Sequence, residues 1–324
     1  MTAPSAPTTA SSPREPSAWR WLRWFALAAI VANVVIVFTG GVVRVSGSGL
    51  GCVDWPTCDG TNIAPTPGGE HAGWQAAVEF GNRLLTLPVL ATAVAVFVQV
   101  RRTRPHTRTV ETLAWALPLG VLAQALLGGI TVLTGLSPYT VAAHFLLSMA
   151  LIAWAVVLHE RVRVQPPTPA PPRGIQHATT AILVVGAAVL LLGTIVTGAG
   201  PHGGDVDAPR FGVDIRLVAI AHADAVWLLI GTTVATVAAT WRSGPARFRH
   251  AIRLLLLVQL LQGGIGYLQY WLGIPPTLVS LHILGAALMW TVAVTAWVRA
   301  RPVSVLPPEA EAADAEVDTR APAQ

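Results

Sequence analysis

The chain has 324 residues, of which 53% are hydrophobic and only 11% charged, with a mean hydropathy of +0.58. A soluble domain carries roughly a quarter charged residues, so this composition excludes an ordinary soluble enzyme and is better counted in membrane spans of roughly 20 apolar residues. The formal charge of +5 does not point to nucleic acid, because the basic residues, all arginine, fall in short segments between apolar runs and form no single basic face.

In chain order, residues 1–18 are rich in Pro, Ser, Thr and Ala and read as a disordered tail. The first apolar run, after Arg20 and Arg23, is long enough to stay as a helix and shows no cleavable signal. Eight apolar stretches follow one another: 22–41, 76–100, 112–134, 140–158, 177–198, 217–240, 252–271 and 279–298. The fold class is therefore an all-α membrane protein of eight transmembrane helices in the lipid bilayer. It divides into an N-terminal four-helix half over 19–160, a linker over 161–175, a C-terminal four-helix half over 176–300 and an acidic, disordered tail over 301–324. Seventeen of the 21 arginines lie in the N-terminal tail, near 101–108, 161–173 and 242–253, and in the C-terminal tail. Arg44, Arg210 and Arg216 lie on the other side, and Arg83 lies inside a helix. By the positive-inside rule both termini and the linker are cytoplasmic, in a multi-pass protein of the cell membrane. The loops holding Cys52 and Cys58, Pro138, Asp205 and Pro275 then face outward.

An internal repeat is visible. Pro138-x-x-Val141-x-x-His144 recurs in the second half as Pro276-x-x-Val279-x-x-His282. Leu127-Gly-Gly-Ile130 recurs as Gln262-Gly-Gly-Ile265, at a separation shorter by three, so the outer loop between the two motifs is expected to gain three residues. Thr39-Gly40 and Thr197-Gly198 are expected to end the first helix of each half. A unit with an even number of spans repeats in one orientation, which gives two tandem bundles related by a pseudo-twofold axis along the membrane normal.

Nine histidines are present, and topology separates them. His106, His159, His177 and His250 lie in or beside Arg-rich cytoplasmic segments and are expected in solvent, while His71 and His202 lie in outer loops. His144, His222 and His282 lie inside apolar helices, where an ionisable group is costly and calls for a function. His144 and His282 each follow their proline by six residues, about 9 Å at 1.5 Å per residue. His222 enters from the same side to a similar depth, so it can face His282 across the second unit. Two neutral imidazoles on opposing helices are what a six-coordinate haem iron requires; hydrogen bonds to neighbouring helices are the plainer alternative. In the first half Asn82 stands where the repeat has His222. Glu79 and Arg83 share a helix face at i, i+4; they either neutralise each other or place a carboxylate and a propionate-binding arginine beside a haem. Built alike but unequal, the halves suggest one fixed haem and one substrate haem. Cys52 and Cys58 are the only cysteines. On the oxidising side they read as a disulfide, either a structural staple or a redox-active pair, and a zinc site lacks further ligands nearby.

These residues carry a resemblance. The stretch Thr39-Gly-Gly-Val-Val-Arg-Val-Ser-Gly-Ser-Gly-Leu-Gly-Cys-Val-Asp-Trp-Pro-Thr-Cys58 resembles the first outer loop of haem A synthases. So do Glu79-Phe-Gly-Asn-Arg83, Thr197-Gly-Ala-Gly-Pro-His-Gly-Gly-Asp205 and Gln262-Gly-Gly-Ile-Gly-Tyr-Leu-Gln-Tyr270, and the likeness runs from about 20 to 300. It implies a two-step oxidation of the C8 methyl of haem O to the formyl of haem A, for cytochrome c oxidase. It further implies haem b as cofactor on His222 and His282, and a substrate-haem site with Glu79, Arg83 and His144, Glu79 handling protons. Asn82 departs from the family's histidine, so no ligand role carries over to it. Haem O synthase, an electron donor and a second copy of the chain are candidate partners. A non-catalytic di-haem electron carrier and a haem transporter are the competing classes: the first should keep both ligands in both halves, and the second does not account for the cysteine loop.

Overall fold

The computed structural model describes residues 17–66, 73–103, 106–163 and 170–302; most of the two tails, much of the linker and His71 lie outside them. Among the described residues there are nine α-helices and no strand. They are α1 (Ser17–Val45), α2 (Gly73–Leu84), α3 (Thr86–Arg102), α4 (Arg108–Leu133), α5 (Pro138–Arg161), α6 (Arg173–Ala199), α7 (Ile215–Ala239), α8 (Ala246–Trp271) and α9 (Pro276–Arg299). With α2 and α3 counted as one span, eight helices are long and apolar enough to cross a membrane.

Local chemistry explains the boundaries. The span expected to be a continuous helix over 76–100 breaks at Leu85. Pro88 has no N–H, so the carbonyl of Leu84 loses its donor one turn on. Leu85 itself keeps helical dihedrals (φ −64°, ψ −15°), and the bonds Leu85 N–H to Gly81 O and Val89 N–H to Leu85 O, both 3.3 Å, cross the break. The result is a kink, not a turn. Helix α4 starts at Thr107, whose side chain accepts from Val110 N–H; α7 starts at Asp214, which accepts from Arg216 N–H at 2.8 Å. Pro138 and Pro276 open α5 and α9, where a missing N–H costs nothing. Helix α1 does not end at Thr39-Gly40 as expected but runs on to Val45 and takes Arg44 with it. That guanidinium crosses to the other half, donating to Thr197 O at 2.8 Å and His202 O at 2.6 Å. The negative end of α6 thus receives its charge.

Within the first half α1, α3, α4 and α5 pack in a ring, α5 closing back on α1; α6, α7, α8 and α9 form a second ring in the same way. Among the described residues, α3 and α5 nowhere approach within 8 Å between Cα atoms, nor do α7 and α9. The other diagonal pairs, α1 with α4 and α6 with α8, stay apart as well, so each ring leaves a gap between backbones along both diagonals, the one joining its second and fourth spans included. The halves meet where α9 packs on α1 and α5, and where α5 packs on α6. The largest fully buried side chains include Leu22, Leu117, Ile152, Ile182, Phe248 and Leu255. All of them stand in the arginine-rich halves of their helices. The bundle is solid at that end and looser at the end that carries the disulfide loop.

The hairpins α4–α5 and α8–α9 match in their backbone chemistry. Gly135 (φ 59°) and Leu136 (φ 58°) are matched by Gly273 (φ 73°) and Ile274 (φ 60°). Leu136 N–H donates to Thr131 O at 2.9 Å, as Ile274 N–H does to Gln269 O at 2.7 Å, each a six-to-one closure of a helix C-terminus. Every matched pair has the same separation along the chain as His144 and His282. The expected three-residue gain in this loop is therefore wrong: the Gly-Gly-Ile identity is out of register with the turn. The structurally paired residues are Gln124 with Gln262 and Gly128 with Gly266. Leu136 is a bulky residue in the left-handed region, a strained choice, and its side chain is buried against Gly49 and Gly204.

Candidate functional site

His144 and His282 stand six residues into α5 and α9, and His222 seven residues into α7. All three are half-buried with a buried Nδ1; that of His144 and that of His282 lack a hydrogen-bond partner, whereas His222 lies within bonding range of the Val189 backbone. Each imidazole edge rests on a glycine of the preceding helix. A Cβ on Gly128 would stand 3.1 Å from His144 Cε1, one on Gly193 3.2 Å from His222 Cε1, and one on Gly266 3.5 Å from His282 Cε1. His222 and His282 lie within electrostatic range of each other although α7 and α9 do not touch. A buried ring nitrogen with no partner costs about 1–3 kcal/mol and demands an account. Two imidazoles on the second and fourth spans of one ring form a donor set that suits the two axial positions of a haem iron. Among the described residues no group of three or more His, Cys, Asp or Glu could hold a bare metal ion.

The glutamines one helix away were not singled out from sequence. Gln262 Nε2 donates to His282 O at 2.9 Å, and Gln124 Nε2 donates to His144 O at 3.0 Å and also to Ser148 Oγ. The signal existed in the sequence but was masked, because the Gly-Gly-Ile register set Gln262 against Leu127.

Among the described residues the first half brings no second histidine to this level. Asn82 accepts at Oδ1 from the Thr39 hydroxyl at 2.7 Å, which ties α2 to α1. One turn earlier, Glu79 is 5% exposed. Its Oε2 accepts from Cys52 N–H at 2.7 Å, and its Oε1 from Arg83 Nε and Nη2 at 3.1 and 2.7 Å. Arg83 also donates to Asp54 O and Thr57 O, both at 3.0 Å, and to Cys52 O at 3.3 Å. The i, i+4 ion pair does form, and beyond neutralising itself it clamps the loop between the two cysteines. Cys52 and Cys58 are disulfide-bonded and buried. The ring of Trp55 lies against Gly129, where any Cβ would collide with it, so the loop is seated on α4 beside the glycine that meets His144. The carboxyl of Asp54 is held below the usual range by bonds from Trp55 N–H and the Thr57 hydroxyl. That of Asp59 is held well below it by Asn62 and Thr61.

Of the remaining histidines, His177 and His250 are exposed as expected. His106 is not: it bonds Thr103 O at 2.8 Å with its side chain 8% exposed. His159 has its Nδ1 buried, because α5 runs on past it to Arg161 and packs its last turn into the bundle. His202 holds Ile274 O at 2.9 Å, tying the α6–α7 loop to the α8–α9 turn.

Among curated proteins, this chain is 37% identical over 142 residues to a protein named "Heme A synthase" of Lysinibacillus sphaericus, the match covering 43% of each chain. It is 31% identical over 142 residues to the protein of the same name from Geobacillus thermodenitrificans, and 29% identical over 140 residues to that of Geobacillus kaustophilus. The matched part is 43% of this chain and 42% of each of those two, so the chain spans well under half the length of the relatives it matches. Residues 23–205, from α1 through α6 and the disulfide loop between them, match the model of the family described as cytochrome oxidase assembly protein; the match covers more than half of the chain, and the chain belongs to that family.

Proposed function

We propose that this membrane protein is a haem A synthase, oxidising the C8 methyl of haem O through the alcohol to the formyl group of haem A. The observation that carries the reading is the inequality of two similar rings. One offers His222 and His282 across its gap. The other offers, among the described residues, His144 without a second histidine, with Asn82 engaged by Thr39 and a buried carboxylate one turn away. A complete axial pair suits a resident haem b. A ring with one such histidine and a buried carboxylate suits a haem that enters and leaves as substrate. The name borne by the relatives supports the same activity.

In this reading His222 and His282 would hold haem b, and His144, with Glu79 and Arg83 in the same half, would hold haem O. The haem iron supplies the oxidising chemistry. Glu79 takes up protons as C–H bonds of the methyl are broken, and Arg83 fixes the carboxylate through Oε1. Trp55 and the clamped loop exclude bulk water from that ring. The two rings are copies about an axis along the membrane normal, both termini are cytoplasmic, and the protein sits in the cell membrane. Methyl to formyl is a four-electron oxidation that adds one oxygen atom. Two hydroxylations balance it, each consuming one dioxygen, two protons and two electrons from a separate donor and releasing one water, with a further water lost from the gem-diol. Haem O synthase delivers the substrate.

The test is co-expression with a haem O-producing strain, followed by haem extraction. Haem A or its hydroxylated precursor is expected from the wild type, and much less from Glu79→Gln. A protein that binds haem b and leaves haem O unchanged is an electron carrier, and the proposal then fails.

A further inference from the structure

The arginine-rich end of the bundle holds a cluster that the haem reading does not use. Glu160, in the last turn of α5, is 4% exposed. It accepts a fork from Arg299 of α9, Nε to Oε2 at 2.9 Å and Nη2 to Oε1 at 2.7 Å. Arg163 Nη1 stands 3.4 Å from Oε1, and Arg247 Nη2 of α8 stands 4.0 Å from Oε2. Arg23 of α1 lies within electrostatic range of both Arg247 and His159. Among the described residues one carboxylate thus faces three guanidiniums at close range, an excess of two positive charges.

The geometry shows where a second anion belongs. At 4.0 Å, Arg247 Nη2 is beyond hydrogen-bond reach of Glu160, and it is buried without a hydrogen-bond partner. The side chains of Arg163 and Arg247 are 31% and 36% exposed, against 18% for Arg299, so the two less engaged arginines are the reachable ones. Planar guanidiniums bind phosphate oxygens in pairs. The cluster sits at helix ends, at the level of a bilayer's headgroups, where basic pockets between spans take anionic lipids. It is not a haem propionate site: His282 and Arg299 stand near opposite ends of α9, about 26 Å apart along the helix.

We propose that Arg163 and Arg247 form a phosphate site at the α5–α8–α9 corner, with the Arg299–Glu160 pair as its fixed floor and the phosphodiester of an anionic lipid headgroup as its ligand. The experiment follows thermal unfolding of the full chain in detergent against added phosphatidylglycerol, phosphatidylcholine or inorganic phosphate. Phosphatidylglycerol should stabilise the wild type, and the Arg163→Gln/Arg247→Gln double variant should need roughly thirtyfold more of it for the same shift. Arg253→Gln, which removes an exposed charge stacked on Trp241 at the same end, should behave as wild type. An arginine-dependent shift with inorganic phosphate but not with lipid supports the phosphate site and assigns it to a soluble ligand. Equal lipid response in the wild type and the double variant overturns the proposal. So does a response that appears only when the chain is cut after Pro302, since the acidic tail would then be the occupant.

Discussion

Replacing Arg83 by glutamine should unseat the disulfide loop, and the size of the effect follows from the bonds it makes. The guanidinium donates to three loop carbonyls, those of Cys52, Asp54 and Thr57. A bond of this kind contributes about 1 kcal/mol net, so their loss removes roughly 3 kcal/mol from the closed state of the loop. That raises the population of locally opened loop by about two orders of magnitude. Cys52 and Cys58 are 0% and 3% exposed, so a reductant reaches the disulfide only through such openings. The assay is the rate at which a mild phosphine reductant, followed by maleimide, labels both cysteines as read by mass. Arg83→Gln should be labelled about a hundredfold faster than wild type. Glu79→Gln should change the rate far less, because its amide oxygen can still accept from Cys52 N–H. A rate for Arg83→Gln within twofold of wild type would refute the clamp.

Gly129→Ala should also free the loop, since the new Cβ enters the space of the Trp55 ring; a shift in tryptophan fluorescence and an overpacking cost of about 1–3 kcal/mol in thermal unfolding are expected. Gly193→Ala, with its Cβ 3.2 Å from His222 Cε1, should disturb the absorption spectrum of bound haem, while Gly266→Ala at 3.5 Å should not. Pyridine haemochrome spectra of purified His222→Met and His144→Met should show haem b lost from the first alone; retention in His222→Met refutes the assignment of halves. For Asp59 the folded pKa is depressed, so its contribution is complete above the unfolded value near 4 and is lost only as the pH falls through the lower folded value. Exchange protection of the Thr61 and Asn62 amides should therefore be unchanged between pH 7 and pH 4 after correction for intrinsic rates, and loss of protection already at pH 5 would contradict the bonding.

Hydropathy alone located all eight spans, because a stretch long enough to cross lipid leaves few alternatives. What it misjudged were features decided by partners distant in sequence. Arg44 reads as a loop residue until its two carbonyl acceptors in the other half are known. The break at Leu85 was within reach of the sequence, since Pro88 removes a donor inside the span. The repeat register went astray because a short identity, Gly-Gly-Ile, outweighed turn chemistry. Gly135-Leu136 and Gly273-Ile274 share a backbone conformation without sharing a motif, and conformation fixed the alignment. The matched depths of His144 and His282 followed from the proline six residues before each, and that of His222 from its distance into its helix. The engagement of Glu79 with Cys52, far back along the chain, did not. No local pattern links a helix carboxylate to one particular loop amide.

The paired left-handed turns have a consequence for how the site is kept in phase. A helix rotates about 100° per residue, so the azimuth of an imidazole is set by where its helix begins. Each turn, followed by proline at the first helical position, acts as a zero mark from which six residues bring the ring round to the gap. One residue inserted between Ile274 and His282 would swing that ring by about 100° and slide it about 1.5 Å along the axis, out of line with His222. The halves differ freely in the first outer loop, which is longer and disulfide-bonded in one and shorter in the other. From Gln124 to His144 and from Gln262 to His282 they remain in step, residue for residue. The hairpin is an angular index, and drift can accumulate anywhere in this chain more safely than there.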